Sequence, residues 1–128
     1  MRVYLDADIF LALFKEEDRF KRVAKKFITN SSHEYITSTM TCLEIWFYLY
    51  RNNLQNQIVD VLRAITSKCK IINHDISTIE SAAILSQENK LSPADAIHAT
   101  IALDYDAIVS TDKSFDKIKG LKRIDFSK

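Results

Sequence analysis

Short runs rich in Val, Ile and Tyr alternate along this chain with longer stretches of helical pattern, and that alternation constrains the fold more than any other feature. The runs are Arg2–Leu5, Tyr35–Ser38, Lys70–Asn73 and Ala107–Ser110, with Arg123–Phe126 as a fifth at an edge. Between the first two, Phe20, Val23, Ala24, Phe27 and Ile28 recur at helical spacing with lysines between them, until Asn30, Ser31 and Ser32 break the pattern. Cys42–Arg51 reads as a helix that is apolar nearly all the way round, ended by Asn52 and Asn53. Leu54, Ile58, Val61, Leu62 and Ile65 mark another. A helix with Ile76, Ile79, Ala83 and Leu85 on one side follows, and a last one begins at Ser92-Pro93. Strands separated by helices require crossover connections, and crossovers make a parallel sheet with helices packed against it. The predicted class is α/β.

Composition agrees. A chain of 128 residues with one Gly and one Pro has no material for a turn-rich sandwich or a flexible linker, and reads as one domain over residues 1–128. The formal net charge of +1 announces no global basic field, so any polyanion has to be met by a local cluster of Lys and Arg. Cys42 and Cys69 lack metal-ligand spacing and are too few for a disulfide scaffold, which suits free thiols in a reducing compartment. MRVYLDADIF carries an acidic pair before any signal-like apolar run develops. No stretch approaches the roughly 20 apolar residues of a membrane span. The expectation is a soluble, cytoplasmic protein.

The acids stand at informative places. Asp6 and Asp8 follow directly on the first strand and Asp112 on the fourth. In open α/β sheets ligands bind outside the carboxyl ends of the strands, where the strand order switches, and Asp6 and Asp112 are expected to point into that crevice. Glu44 and Asp95 are expected in the first turn of their helices. Each has a structural explanation there: Thr41-Cys42-Leu43-Glu44 matches a capping box, and Ser92-Pro93-Ala94-Asp95 is a near relative of one. Asp112 equally suits an N-cap for Lys113–Lys117. Asp6 is harder to explain structurally, because burying an unpaired carboxylate costs several kcal/mol. Four acids converging on one sheet edge repel one another, and the usual remedy is a hard divalent cation such as Mg²⁺ or Mn²⁺, which prefers oxygen ligands.

These segments resemble the PIN-domain family, in particular the toxins of VapBC-type toxin–antitoxin pairs. VYLDADIF resembles the family's opening strand and first acid, and TMTCLEIWFYL its second acid on a helix. LSPADAIHATIAL resembles the third acid at a Ser-Pro helix start, and AIVSTDKSF the last strand, hydroxyl residue, Asp and Phe. The match runs along the whole chain in the family's order. It implies a three-layer α/β/α sandwich with a short parallel sheet of four to five strands. It also implies a Mg²⁺- or Mn²⁺-dependent endoribonuclease, commonly a homodimer restrained by a small antitoxin. By the same resemblance Asp6, Glu44, Asp95 and Asp112 form the acidic cluster. Asp6, Asp95 and Asp112 would be the metal ligands, and Glu44 would position or deprotonate the attacking water. Ser110 would bind a phosphate oxygen or a metal-held water. Asp8 departs from the Asn, Ser or Thr common at its position, which either strengthens metal binding or repels RNA.

Two other readings compete. Asp6-Ala7-Asp8 literally fits the opening Asp-x-Asp of haloacid dehalogenase-type phosphatases, with Asp112 and Asp116 imitating their late metal-binding acids. Ile9-Phe10 does not continue that pattern, however, no lysine motif follows, and SPADAIHAT goes unexplained. A PIN-like module that binds RNA or protein without cutting is the other, and its usual sign, a lost acid, is missing. His98, one turn after Asp95, either faces the site or is a surface or packed histidine; His33 and His74 read as loop residues. Trp46–Tyr50 suits a core or a protein interface better than base stacking, and Lys15, Lys21, Lys25 and Lys26 suit a solvated face.

Overall fold

A computed structural model describes residues 1–15, 18–30 and 32–128; Ser31, one of the expected helix breakers, lies outside them. Five strands, β1 (Arg2–Leu5), β2 (Glu34–Ser38), β3 (Lys70–Ile72), β4 (Ala107–Val109) and β5 (Arg123–Ile124), form one sheet in the order β3-β2-β1-β4-β5. Every pairing is parallel, with Tyr4 beside Ile36 on one side and Ile108 on the other. The helices are α1 (Ala7–Phe14), α2 (Lys21–Ile28), α3 (Thr39–Arg51), α4 (Ile58–Lys68), α5 (Ile76–Asn89) and α6 (Pro93–Ala102).

Alternation along the strands sorts the core into two layers. Val3, Leu5, Tyr35, Ala107 and Val109 face a cluster built with Ile9, Phe10, Ala24, Ile45, Leu49 and Ile65 from α1 to α4. Tyr4, Ile36 and Ile108 face the opposite way, onto Ala82 of α5 and Ala96, Ala99 and Ala102 of α6. The result is the expected three-layer α/β/α sandwich. The second layer is thin because its helices meet the sheet through alanines, which brings α6 close to the centre of the sheet.

Three expectations change. Helix α1 was not expected: ADIFLALF is apolar at nearly every position, so it carries no 3.6-residue period to read. Helix α3 begins at Thr39, three residues before the expected start, because the Ser38 side chain accepts from the Met40 N–H and caps it. Thr41 is therefore no cap: it is buried, and the Thr37 hydroxyl donates to its oxygen. In α5, the side carrying Ile76, Ile79 and Ala83 faces solvent, and the helix packs through Ala82 instead.

Candidate active site at the carboxyl edge of the sheet

Strand order reverses between β1 and β4, and the residues that follow these two strands meet there. Asp6 leaves β1 in extended backbone and caps α1, accepting the Ala7 N–H at 2.8 Å. It is 6% exposed. Ser110, just past β4, donates its hydroxyl to Asp6 Oδ2 at 2.9 Å and lies 3.2 Å from Asp8 Oδ2. One proton serves both contacts, so the two carboxylates share it.

Asp8 is fixed from one side only. Its Oδ2 accepts the Thr111 N–H and hydroxyl, both at 2.8 Å, whereas its Oδ1 is buried without a hydrogen-bond partner among the described residues. A carboxylate bolted in this way to the loop after β4 is not free to act as the mobile general acid of an Asp-x-Asp phosphatase.

Glu44 lies in the second turn of α3, and that helix has no acid in its first turn. This corrects the capping-box expectation, so Glu44 has no capping role there. Its carboxylate instead hydrogen-bonds Nε2 of His98, the same nitrogen that lies 3.3 Å from Asp6 Oδ1. His98, on α6, is fully buried. Its Nδ1 pairs with the Tyr4 hydroxyl at 2.6 Å, and Tyr4 pairs in turn with the Ser38 hydroxyl at 2.6 Å. The histidine is thus both packed and facing the site. Its ligand atom and those of Asp6 and Glu44 lie within 4.8 Å of one another.

Asp95 and Asp112 are not members of that tight group. Asp95 is the third residue of α6, where the Ser92 hydroxyl accepts its backbone N–H at 3.2 Å, as the cap reading expected. Asp112 caps the 3₁₀ turn Lys113–Lys117 by accepting the Ser114 N–H at 2.9 Å, and its own N–H donates to Ser110 Oγ. The two are nonetheless close enough that the charge on Asp112 raises the pKa of Asp95. Asp116 stands apart, exposed and held by the Arg123 guanidinium at 2.8 and 3.1 Å.

The electrostatics are those of an overcrowded acid cluster. Burial pushes Asp6 up to about 7 against the pull of His98, and the charges of Asp8 and Glu44 push it further. Burial raises Asp8 despite its hydrogen bonds from Thr111. Asp95 is raised first by burial and then by Asp112. For His98 burial favours the neutral ring, but Tyr4, the Glu44 hydrogen bond and Asp6 outweigh it and hold the pKa well above the ordinary value. Several oxygens that cannot all ionise unaided, one of them buried and unpartnered, are a donor set that fits a hard divalent cation.

A family model of the PIN domain matches residues 3–121. The chain belongs to the PIN-domain family. Solved structures of similar fold include a VapBC complex of nontypeable Haemophilus influenzae, with 18% identity, TM-score 0.75 and full coverage of both chains. DNA-bound VapBC of Salmonella typhimurium is 17% identical with TM-score 0.76, over 98% of each chain. A VapC toxin of Mycobacterium tuberculosis described as cleaving the sarcin–ricin loop is 16% identical with TM-score 0.74, over 89% of this chain and 92% of that one. No curated protein sequence matches.

Sequence reading missed the strength of His98. The signal was its place three residues after Asp95, one turn along the same helix. The helix that carries the aromatic run divides between core and surface. Ile45 and Leu49 fill the core, while Trp46, Phe47 and Tyr50 are 46%, 55% and 63% exposed. Lys21, Lys25 and Lys26 are solvated as expected, and Lys15 lies over the Tyr48 ring at 4.9 Å. Cys42 and Cys69 are free.

Proposed function

We propose that this PIN domain is a Mg²⁺- or Mn²⁺-dependent endoribonuclease, with residues 1–128 as one nuclease domain and Asp6, Asp95 and Asp112 as its metal ligands. The observation that carries this reading is Asp6. A carboxylate that is buried at the strand-order switch, with its pKa pushed up to about 7 and the charges of Asp8 and Glu44 beside it, carries more strain than its capping role needs and is well placed for a cation. When bound, a divalent cation lowers the pKa of water and offsets charge on a phosphodiester.

The chain's own residues supply the rest. Glu44, whose side chain is 30% exposed, lies against His98 and takes the proton of the attacking water. Ser110 orders Asp6 and Asp8 rather than standing free for a phosphate, since its hydroxyl already donates to both. A groove of about 450 Å³ is lined by Glu44, Met40, Phe47, Tyr48, Lys15 and Arg51. Its two cations and flat rings suit a phosphate backbone with a base beside it, and supply the local positive charge that the net charge of +1 does not. In-line attack by water would leave 5′-phosphate and 3′-hydroxyl ends.

The resemblance in fold to VapBC complexes supports a toxin role with a small antitoxin as partner, and the cytoplasmic homodimer is carried over from the family resemblance. No helix among the described residues is long and apolar enough to cross a membrane. Exposed apolar side chains on α3 and α5, such as Tyr50 and Ile76, leave surface for protein partners.

Cleavage of an end-labelled RNA by purified protein in Mn²⁺ or EDTA, beside Asp6→Asn and Asp95→Asn prepared identically, tests the assignment. Metal-dependent cutting lost in both variants is expected. Full activity in either variant refutes its place in the site, and RNA binding without cutting by the wild type favours a non-catalytic module.

A further inference from the structure

The proposed ligands are all oxygen donors, yet a buried nitrogen, His98 Nε2, also lies beside Asp6. We infer that His98 Nε2 is a metal ligand beside Asp6, so that the site is a mixed nitrogen–oxygen site that favours Mn²⁺ over Mg²⁺. This rests on the reading of the acid cluster as a metal centre and names which cation it selects.

Three observations carry it. The first is spacing. His98 Nε2 and Asp6 Oδ1 are 3.3 Å apart. Two neighbouring ligands on one small cation, each bonded at roughly 2.0–2.2 Å, sit about 3 Å from each other. The second is the far side of the ring. A histidine that ligates through one nitrogen almost always donates its other N–H to a fixed partner. The Tyr4 hydroxyl stands 2.6 Å from His98 Nδ1, and the Ser38 hydroxyl 2.6 Å behind it. Both hydroxyls can turn their protons either way. Tyr4 accepts the Nδ1 proton while donating to Ser38, so loss of the Nε2 proton that now faces Glu44 would leave the Nε2 lone pair for a metal. The third is rigidity against freedom. His98 and Tyr4 are fully buried, so the ring is already oriented, whereas Glu44 is partly exposed and can leave Nε2 to face water.

A purely structural histidine fits less well. An apolar or amide side chain would fill the space beneath α6 without bringing a ligand nitrogen against two carboxylates. The chemical consequence is selectivity. Imidazole suits borderline transition ions, while Mg²⁺ prefers oxygen and retains its water.

The test is pulsed electron paramagnetic resonance of the full chain loaded with Mn²⁺, reading ¹⁴N modulation, together with calorimetric titration of Mn²⁺ and Mg²⁺. Wild type should show imidazole nitrogen coupling, and a variant carrying both His33→Gln and His74→Gln, in which His98 is the one histidine left, should keep it. His98→Gln should lose the coupling and lower the preference for Mn²⁺ over Mg²⁺ by about tenfold or more. If His98→Gln does not fold, the double variant still decides. Mn²⁺ that binds wild type, is lost in Asp6→Asn and shows no nitrogen coupling overturns the role of His98 and leaves the acid site standing. Mn²⁺ binding indifferent to Asp6→Asn overturns both.

Discussion

Replacing Asp6 with Asn in metal-free protein should raise stability, and raise it more at pH 8 than at pH 5. Asp6 has an ordinary value of 3.8 and is pushed up to about 7 in the fold, chiefly by burial. Below about pH 4 the carboxyl is protonated in both states and contributes nothing. Between the two values the folded state holds a proton that the unfolded chain has lost, so stability falls as pH rises. Above about 7 the carboxylate is ionised in both states and the penalty is complete. At about 1.4 kcal/mol per unit, the interval gives a ceiling of roughly 4 kcal/mol at pH 8 and less than half of that at pH 5. His98 adds to the same trend. Its raised pKa contributes stability that is present below 6.5 and lost as pH climbs through its folded value. Asp8 and Asp95, also raised, act in the same direction. Asn caps a helix about as well as Asp and still offers an oxygen to the Ala7 N–H, so the substitution removes charge while keeping the cap. Guanidinium unfolding in EDTA at pH 5, 6, 7 and 8 measures this. The wild type should lose stability across the series, and Asp6→Asn should gain at least about 1 kcal/mol more at pH 8 than at pH 5. Saturating Mn²⁺ should restore the wild type, by about 2.7 kcal/mol at a hundred times its Kd. A wild-type profile that is flat or rises with pH, or a variant less stable than wild type at pH 8, would refute the account of Asp6 as an electrostatically strained group.

Glu44→Gln should lower stability below about pH 6.5, where its carboxylate no longer supports the charged ring of His98, while single-turnover RNA cleavage drops by about 10²–10⁴-fold. Cleavage within a few fold of wild type would remove Glu44 from the chemistry. Ser110→Ala should cost about 1–3 kcal/mol in a denaturant melt, because buried Asp6 Oδ2 loses its donor and the part-buried Asp112 N–H its acceptor. The same change should push Asp6 further upward and steepen the fall in stability with pH. Tyr4→Phe should weaken Mn²⁺ binding by about 10–100-fold in calorimetry without abolishing it, as removal of an outer hydrogen-bond partner does.

The acids that end a strand or open a helix were legible in the sequence because an element boundary leaves a local mark. Asp6 and Asp112 stand directly after apolar runs, and Asp95 follows a Ser-Pro helix start, so a few neighbouring residues suffice to place each. The two core layers follow once the strands are placed, because successive side chains in VYL and AIV point to opposite faces of the sheet. Glu44 does lie beside His98 and Asp6, but its sequence context misdescribed its helix. Thr41 three residues before it imitates a cap, whereas Ser38 ends β2 and caps α3 without any intervening loop, and nothing local says which hydroxyl the chain uses.

Tyr4 and Ser38 were illegible, and His98 legible only as one of several readings, because residues inside a strand or on the buried face of a helix look like packing. Tyr4 passes for a strand aromatic and Ser38 for a strand end, and His98 sits between Ile97 and Ala99 in an otherwise apolar stretch. Only the parallel pairing of β1 with β2, and the packing of α6 across the face that Tyr4 occupies, bring the three into line. Asp8 teaches the same lesson at longer range, since its partners Ser110 and Thr111 lie more than a hundred residues away and its role as a bolt between β1 and β4 has no local signature. The acids thus announce that a charge-handling site exists. The buried chain from Ser38 through Tyr4 to His98 determines how that site holds its charge, because it fixes the nitrogen that meets Asp6 and Glu44. A variant that spares every acid but breaks this chain, such as Tyr4→Phe, therefore separates the two contributions: it leaves the cluster's net charge intact and alters only the ring that is set against it.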